Sequence, residues 1–246
     1  MTGPLRHLSG LFVTGTDTGV GKTTVAATLV RHWQISGRRV GAYKPAASGS
    51  VIRATGEPVW EDVEAYFKAL DGTFPRDRIC PQCFTAPLAP PVAARHEGRE
   101  VDDDLLGAGV DWWRPQVDSL IVEGAGGLLS PLSGSQSNAD VAAKLGFPLL
   151  IVGRLGLGTI NHTLLTVAVA RQLGLPICGI VLNATSPDTD DPSIKSNPQE
   201  LALRCTVPIL GVLPYSPKAD LLHHPAFLRM LELLEQNAAL GGASQL

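Results

Sequence analysis

One fourteen-residue stretch, Leu11 to Thr24, constrains this chain more than any other feature. Leu11-Phe12-Val13-Thr14-Gly15 is an apolar, β-prone run, and Thr16-Asp17-Thr18-Gly19-Val20-Gly21-Lys22-Thr23-Thr24 leads from it into a helical pattern. Strand, glycine-containing loop and helix in that order make a cradle for phosphate. Glycines let backbone N–H groups turn inward around phosphate oxygens, and the helix N-terminus adds partial positive charge. Gly19, Val20, Gly21, Lys22, Thr23 and Thr24 are therefore expected to hold a nucleotide. Lys22 would reach the outer phosphates, and the Thr23 hydroxyl would serve a magnesium ion. The strict G-x-x-x-x-G-K-[ST] pattern fails at one place: Thr16 stands where the first glycine belongs, and Gly15 sits one residue early.

The rest of the chain alternates strand and helix. Apolar runs at Val40–Lys44, Ser119–Glu123, Pro148–Gly153, Ile177–Asn183 and Ile209–Pro214 read as strands buried on both faces, since their apolar residues are consecutive. Helical patterns cover Lys22–Ser36, Glu61–Leu70, Asp102–Arg114, Ala139–Leu145, Thr159–Leu173 and Leu221–Gln236. This alternation predicts an α/β fold: one doubly wound, mostly parallel sheet flanked by helices, as a single domain over 1–246. Pro75–Gly98 and Ser186–Pro198 read as loops, and 237–246 as a fraying tail.

A phosphate loop of this kind implies a second acid at the end of a nearby strand, to direct magnesium. Glu123 ends the run Val117–Glu123 and is followed by Gly124-Ala125-Gly126-Gly127. A carboxylate there faces the ligand crevice of an open α/β sheet, and the glycines let a nucleotide approach.

The intact Gly-Val-Gly-Lys-Thr-Thr core resembles the deviant phosphate loops of partition ATPases and nitrogenase iron proteins, where a lysine replaces Asp17. A wider set of blocks resembles the dethiobiotin synthetase family more closely. They are Val13–Thr18 through Lys22-Thr23, Lys44-Pro45-Ala46-Ala47-Ser48-Gly49, Val122–Gly127, Gly156–His162 and Pro208–Pro214, in family order. The resemblance implies a homodimeric enzyme of P-loop NTPase type. Its substrates would be 7,8-diaminononanoate, CO₂ or bicarbonate, and ATP with Mg²⁺, and its products dethiobiotin, ADP and phosphate.

That chemistry gathers carbamate, triphosphate and metal in one place, so positioning and charge stabilisation are its main demands. Lys22 and Lys44 are the expected catalytic cations. Lys44 ends a strand expected to lie beside the phosphate-loop strand. Ser48, and Thr16 from the loop side, would hydrogen-bond the amine or carbamate. The resemblance implies a further magnesium-associated acid where the next helix starts; Asp62 is the choice, with Glu61 and Glu64 as rivals. Metal ligands would then be Thr23, Asp62 and Glu123. The nucleotide site would extend over Gly124, Ala125 and Gly126. Adenine is assigned to Asn183 and Ala184, closed by backbone of Pro214, Tyr215 and Ser216. The substrate carboxylate would meet the helix start at Gly158, Thr159, Ile160 and Asn161 of the neighbouring subunit.

Composition removes competing classes. Lys+Arg 20 against Asp+Glu 23 gives a net charge of −3, so nothing draws the surface toward nucleic acid. No run is long and apolar enough for a membrane span, residues 1–9 lack the apolar core of a secretory signal, and the final helix has no basic stripe. A cytoplasmic chain without membrane or nucleic-acid partners is expected. Cys80-Pro81-Gln82-Cys83 is a solitary Cys-x-x-Cys, and Cys178 and Cys205 lie far along the chain, so neither a zinc site nor a disulfide framework is expected.

Overall fold

The structure is a computed structural model, and it describes residues 9–187, 191–215 and 221–242. The first half runs β1 (Ser9–Gly15), α1 (Lys22–Ile35), β2 (Val40–Tyr43), β3 (Ala47–Ser48), β4 (Val51–Ile52), β5 (Pro58–Val59), α2 (Glu61–Ala69), α3 (Arg76–Ile79), β6 (Cys83–Phe84), α4 (Pro90–His96) and α5 (Asp103–Trp113). The second half runs β7 (Ser119–Gly127), α6 (Asn138–Leu145), β8 (Leu149–Arg154), α7 (Thr159–Gln172), β9 (Ile177–Asn183), α8 (Ser193–Arg204), β10 (Ile209–Leu213), a 3₁₀ turn (Leu221–His223) and α9 (Pro225–Gly242).

Six strands form one parallel sheet in the order β10-β9-β8-β1-β7-β2. Its middle strands are apolar at successive positions because helices cover both faces. Phe12, Val13, Ile121, Val122, Leu150 and Ile151 are all fully buried. Each such side chain contributes roughly 1.5–3 kcal/mol by leaving water. From β1 the chain passes β7 to reach β2, and from β7 it passes back over β1 to reach β8, so successive connections run in opposite directions about β1. The carboxyl end of β1 is thus a topological switch point, where open α/β sheets bind ligands.

Three readings of the sequence change here. First, β2 does not lie beside β1, because β7 inserts between them. Alternation of elements fixes neither strand order nor partner. Second, β7 runs past Glu123 through the glycines to Gly127, which pairs with Gly15 after a register shift. Third, Pro75–Gly98 and Ser186–Pro198 are not simply loops. The first holds α3, β6 and α4, the last of which starts on Pro90 and Pro91, where the missing N–H groups cost nothing. The second runs into α8, which carries Pro198 inside its early turns, and that proline reads as a breaker in the sequence. At the end of the chain, α9 continues beyond Gln236 to Gly242, where a tail was expected.

Candidate active site

The phosphate-loop segment leaves β1 and reaches α1 by way of Gly19 and Gly21, both at positive φ (70° and 90°). Gly21 is the N-cap of α1, and a Cβ there would lie 2.1 Å from Asn183 Nδ2. The sequence places a glycine where both the backbone conformation and the space demand one. Gly15 does the work of the glycine absent at position 16: a Cβ on it would come 2.7 Å from Asp17 O and 3.0 Å from Lys22 Nζ. Lys22 folds back over this loop and donates to Asp17 O at 3.1 Å. Burial lowers its pKa, with Glu123 working in the opposite direction.

Register brings the other charges together. Tyr43 of β2 pairs with Val122 of β7, so Lys44 and Glu123 both emerge at the carboxyl end of the sheet. Lys44 thus reaches the crevice from the far side of β7. Its ammonium lies 2.7 Å from Glu123 Oε1 and 2.8 Å from Asp62 Oδ2. The Thr23 hydroxyl stands 2.8 Å from Asp62 Oδ1 and 2.9 Å from Glu123 Oε1. Tyr66, one turn beyond Asp62 on α2, donates its hydroxyl to Glu123 Oε2. Burial disfavours the charge on Lys44, but Glu123 and Asp62 outweigh it and raise the pKa well above the usual lysine range. Burial acts against the Asp62 carboxylate as well, yet Lys44 and Thr23 hold its pKa below the ordinary value. Burial, followed by Glu123, keeps Tyr66 protonated.

Of the three acids at the start of α2, Asp62 alone meets Lys44 and Thr23. Glu64 turns away to Arg76 and Arg53, and Glu61 is exposed. The glycine strand after Glu123 is held by Asn138, which is fully buried. Its amide donates to Ala125 O and Gly127 O at 2.7 Å each, and its Oδ1 accepts from Ala125 N at 3.0 Å.

A cavity of about 560 Å³ opens over these groups. Its lining includes Gly19, Gly21–Thr24, Lys44, Ser48, Asp62, Glu123, Ala125 and Gly126, with Pro87–Pro90 forming an apolar wall. Gly124 lies beneath the floor, against Asn138 and Phe12. Thr16 does not line the cavity; its backbone sits against Gly127. Asn183 lies buried under the loop, donating to Val20 O at 3.1 Å. Ala184, Pro214 and the part-exposed Tyr215 follow at the ends of β9 and β10, and Ser216 lies outside the described residues. Gly158, Thr159, Ile160 and Asn161 start α7 on the β8 side of β1 and do not line this cavity. Gly158 is the N-cap at φ 92°, Thr159 is buried, and neighbouring Leu157 is 89% exposed.

Sequence reasoning missed Tyr66 and Asn138. Tyr66 lies four residues after Asp62, on the same side of a helix, which is a readable signal. Asn138 sits inside the capping box of Ser137 and Asp140, so it reads only as part of a helix start.

Comparison with known proteins gives consistent results. A family model described as an AAA domain matches residues 9–221. The ATP-dependent dethiobiotin synthetase BioD of Anaeromyxobacter dehalogenans (strain 2CP-C) is 49% identical over 210 residues, covering 85% of this chain and 92% of the relative. The protein of the same name from Bacillus subtilis (strain 168) is 41% identical over 207 residues, covering 84% and 87%. Among solved structures, a putative plasmid partition protein from Borrelia burgdorferi B31 bound to AMPPNP aligns with a TM-score of 0.56 at 11% identity, covering 94% of this chain and 99% of that one. The MinC:MinD cell division complex of Aquifex aeolicus gives 0.53 at 14%, covering 94% and 96%. At such identities the structural likeness speaks for the fold alone, a P-loop sheet.

Proposed function

The chain belongs to the ATP-dependent dethiobiotin synthetases, ligases of biotin biosynthesis, and from that premise we propose how its crevice carries out the reaction. One amine of 7,8-diaminononanoate adds to CO₂, forming an N–C bond and releasing a proton. A carbamate oxygen then attacks the γ-phosphorus of ATP, and ADP leaves. The second amine attacks the carbonyl carbon of the mixed anhydride, phosphate departs, and the cyclic urea closes.

The observation that carries this reading is the junction of Lys44, Thr23, Asp62 and Glu123 at the mouth of the phosphate loop. With Lys22 beside it, Lys22 and Lys44 balance Asp62 and Glu123, so the site is near neutrality before substrate enters. Backbone N–H groups of Gly19–Thr24 would bind the phosphates, and Lys22 and Lys44 would offset charge on the group in flight. The hydroxyl of Thr23 between two carboxylates is a hard-oxygen donor set that fits Mg²⁺. Thr23, Asp62 and Glu123 would hold the ion, which supplies neutralisation of phosphate charge when bound. Ser48 would orient the amine or carbamate from the cavity wall, with Thr16 reaching it from beside Gly127, just outside that lining. Asn183 and Ala184, with Pro214, Tyr215 and Ser216, would receive adenine, since an Asn amide offers both donor and acceptor.

The start of α7 supports a homodimer. The α7 start at Gly158–Asn161 carries helix-end N–H groups suited to a carboxylate, although Thr159 N–H meets Gly156 O at 3.3 Å, and it stands away from the cavity of its own chain. A partner's loop would complete each site and hold the tail of the diamine. Four free cysteines accord with a reducing, cytoplasmic setting. Among the described residues no helix is long and apolar enough to cross a membrane.

The test is incubation of the purified protein with MgATP, labelled bicarbonate and 7,8-diaminononanoate. Acid-stable label in a cyclic urea, dependent on both ATP and diamine, is expected. ATP hydrolysis that ignores the diamine and fixes no label would point instead to a nucleotide switch.

A further inference from the structure

A second cavity, of about 490 Å³, lies on the other side of α2 and is lined by both Cys80 and Cys83, with Trp60, Arg53, Arg76 and Asp77 at its walls. The reaction described above uses neither thiol. Cys80 is buried and Cys83 half-buried, and both are free. Cys83 Sγ lies 3.7 Å from Cys80 O, and Cys80 Sγ lies 3.5 Å from Gln82 O, so both thiols fold onto the same short turn.

That turn is bonded to the catalytic strand end. Lys44 N–H donates to Ile79 O at 2.7 Å, Ala47 N–H to Gln82 O at 2.9 Å, and Gly49 N–H to Phe84 O at 3.1 Å. Cys83 pairs with Ala47 in the β3–β6 ladder. Residues 79–84 are therefore the backing on which Lys44 and Ser48 are set.

We propose that Cys80 and Cys83 form a reversible dithiol–disulfide site, oxidised by a low-molecular-weight disulfide entering the second cavity, and that closing the ring displaces the Lys44–Ser48 segment and slows turnover. The Cys83 thiolate attacks one sulfur of the external disulfide; that S–S bond breaks and one thiol leaves. The Cys80 thiol gives up its proton and attacks the Cys83 sulfur of the mixed disulfide, and a second thiol leaves. The protein loses two electrons and two protons, and the external disulfide becomes two thiols. A dithiol reductant reverses the sequence.

The division of roles follows the surroundings. A hydrogen bond from Cys80 holds the Cys83 thiol below the usual range; burial opposes this, and Lys44 and Arg99 add to it. Burial pushes the Cys80 thiol up, as suits the resolving partner. Cys178 is pushed up to about 12 by burial, which makes it a poor competitor. The cavity walls carry Arg53 and Arg76 against Glu57, Glu64 and Asp77, so a cationic disulfide is not repelled.

Cystamine is the probe, applied to the intact enzyme, with peptide mapping and dethiobiotin formation as separate readouts. The expected result is loss of two hydrogens within the peptide carrying residues 80–83, a fall in turnover of about tenfold, and recovery with dithiothreitol. Cys83→Ser should keep its activity and ignore cystamine, and Cys80→Ala should stop at the mixed disulfide on Cys83. Failure of wild type to close the ring overturns the site. Ring closure with unchanged turnover, or equal inactivation of Cys83→Ser, overturns the coupling to Lys44. The coupling rests on the synthetase reading, and the mass readout does not. Reduced enzyme that makes no dethiobiotin would count against that reading, while the mass still decides the site.

Discussion

Lys44 Nζ lies 2.7 Å from Glu123 Oε1, and the two side chains are 3% and 1% exposed. A buried ion pair of this kind is a poor device for stability alone, because desolvation offsets most of the attraction. Its place beside the phosphate loop suits the role proposed above, a fixed positive charge that would need no rearrangement when phosphoryl transfer begins. Lys44→Gln keeps a donor and removes the charge. It should lower kcat about 10²–10³-fold, comparable to loss of one preorganised electrostatic contact. Calorimetric affinity for ATP should change far less. Collapsed ATP affinity with normal turnover at saturation would show that Lys44 serves binding and not the chemical step.

Tyr66→Phe removes one oxygen from a fully buried position. Glu123 Oε2 then loses the hydroxyl that donates to it. An unsatisfied buried acceptor costs about 1–3 kcal/mol, so the midpoint of denaturant unfolding should fall accordingly. An unchanged midpoint would mean that Glu123 finds another donor and that Tyr66 does not fix it.

The Asp62 contribution depends on pH with a definite sign. Lys44 and Thr23 hold the Asp62 pKa below its ordinary value, against the pull of burial. Stability from this carboxylate is fully present above the unfolded value of about 3.9 and is lost as pH falls through the lower folded value. Unfolding of wild type and Asp62→Asn should therefore differ by a constant amount near neutrality and converge in acid. Lys44, raised above its ordinary value, holds its contribution at all pH below about 10 and loses it only in strong base. A gap between the two proteins that widens in acid would contradict the assignment.

Gly21 is constrained twice, by a φ of 90° and by Asn183. Gly21→Ala should abolish nucleotide binding, measured by fluorescence of a labelled ATP analogue. Adding Asn183→Ala removes the collision but leaves the left-handed strain of about 1–2 kcal/mol and takes away the proposed adenine contact, so binding should return only in part, and stay below that of Asn183→Ala alone. Recovery in the double variant to the level of Asn183→Ala alone would show that contact alone dictates the glycine.

The phosphate loop and the six strands were readable because each is a local pattern: glycines at fixed offsets and apolar runs of strand length. Glu123 and Thr23 followed from the same local logic. Strand order was not local. Lys44 was expected beside the loop strand, but β7 intervenes, and only side-to-side register shows that Lys44 and Glu123 meet. The helix through Pro198 was hidden because tertiary packing overrides the intrinsic cost of proline there. Tyr66 and Asn138 were hidden for another reason: a buried tyrosine and a helix-start asparagine each have an ordinary structural reading that needs no site.

The most direct measurement follows oxygen from labelled CO₂. With C¹⁸O₂ trapped before exchange with water, phosphorylation at the carbamate oxygen predicts that one labelled oxygen leaves in inorganic phosphate and the other remains in the urea carbonyl of dethiobiotin. Mass spectrometry of both products reads this in a single turnover. Phosphate free of label, alongside labelled dethiobiotin, would show that ATP is not cleaved by the carbamate and that the cluster at Lys44 performs a different reaction.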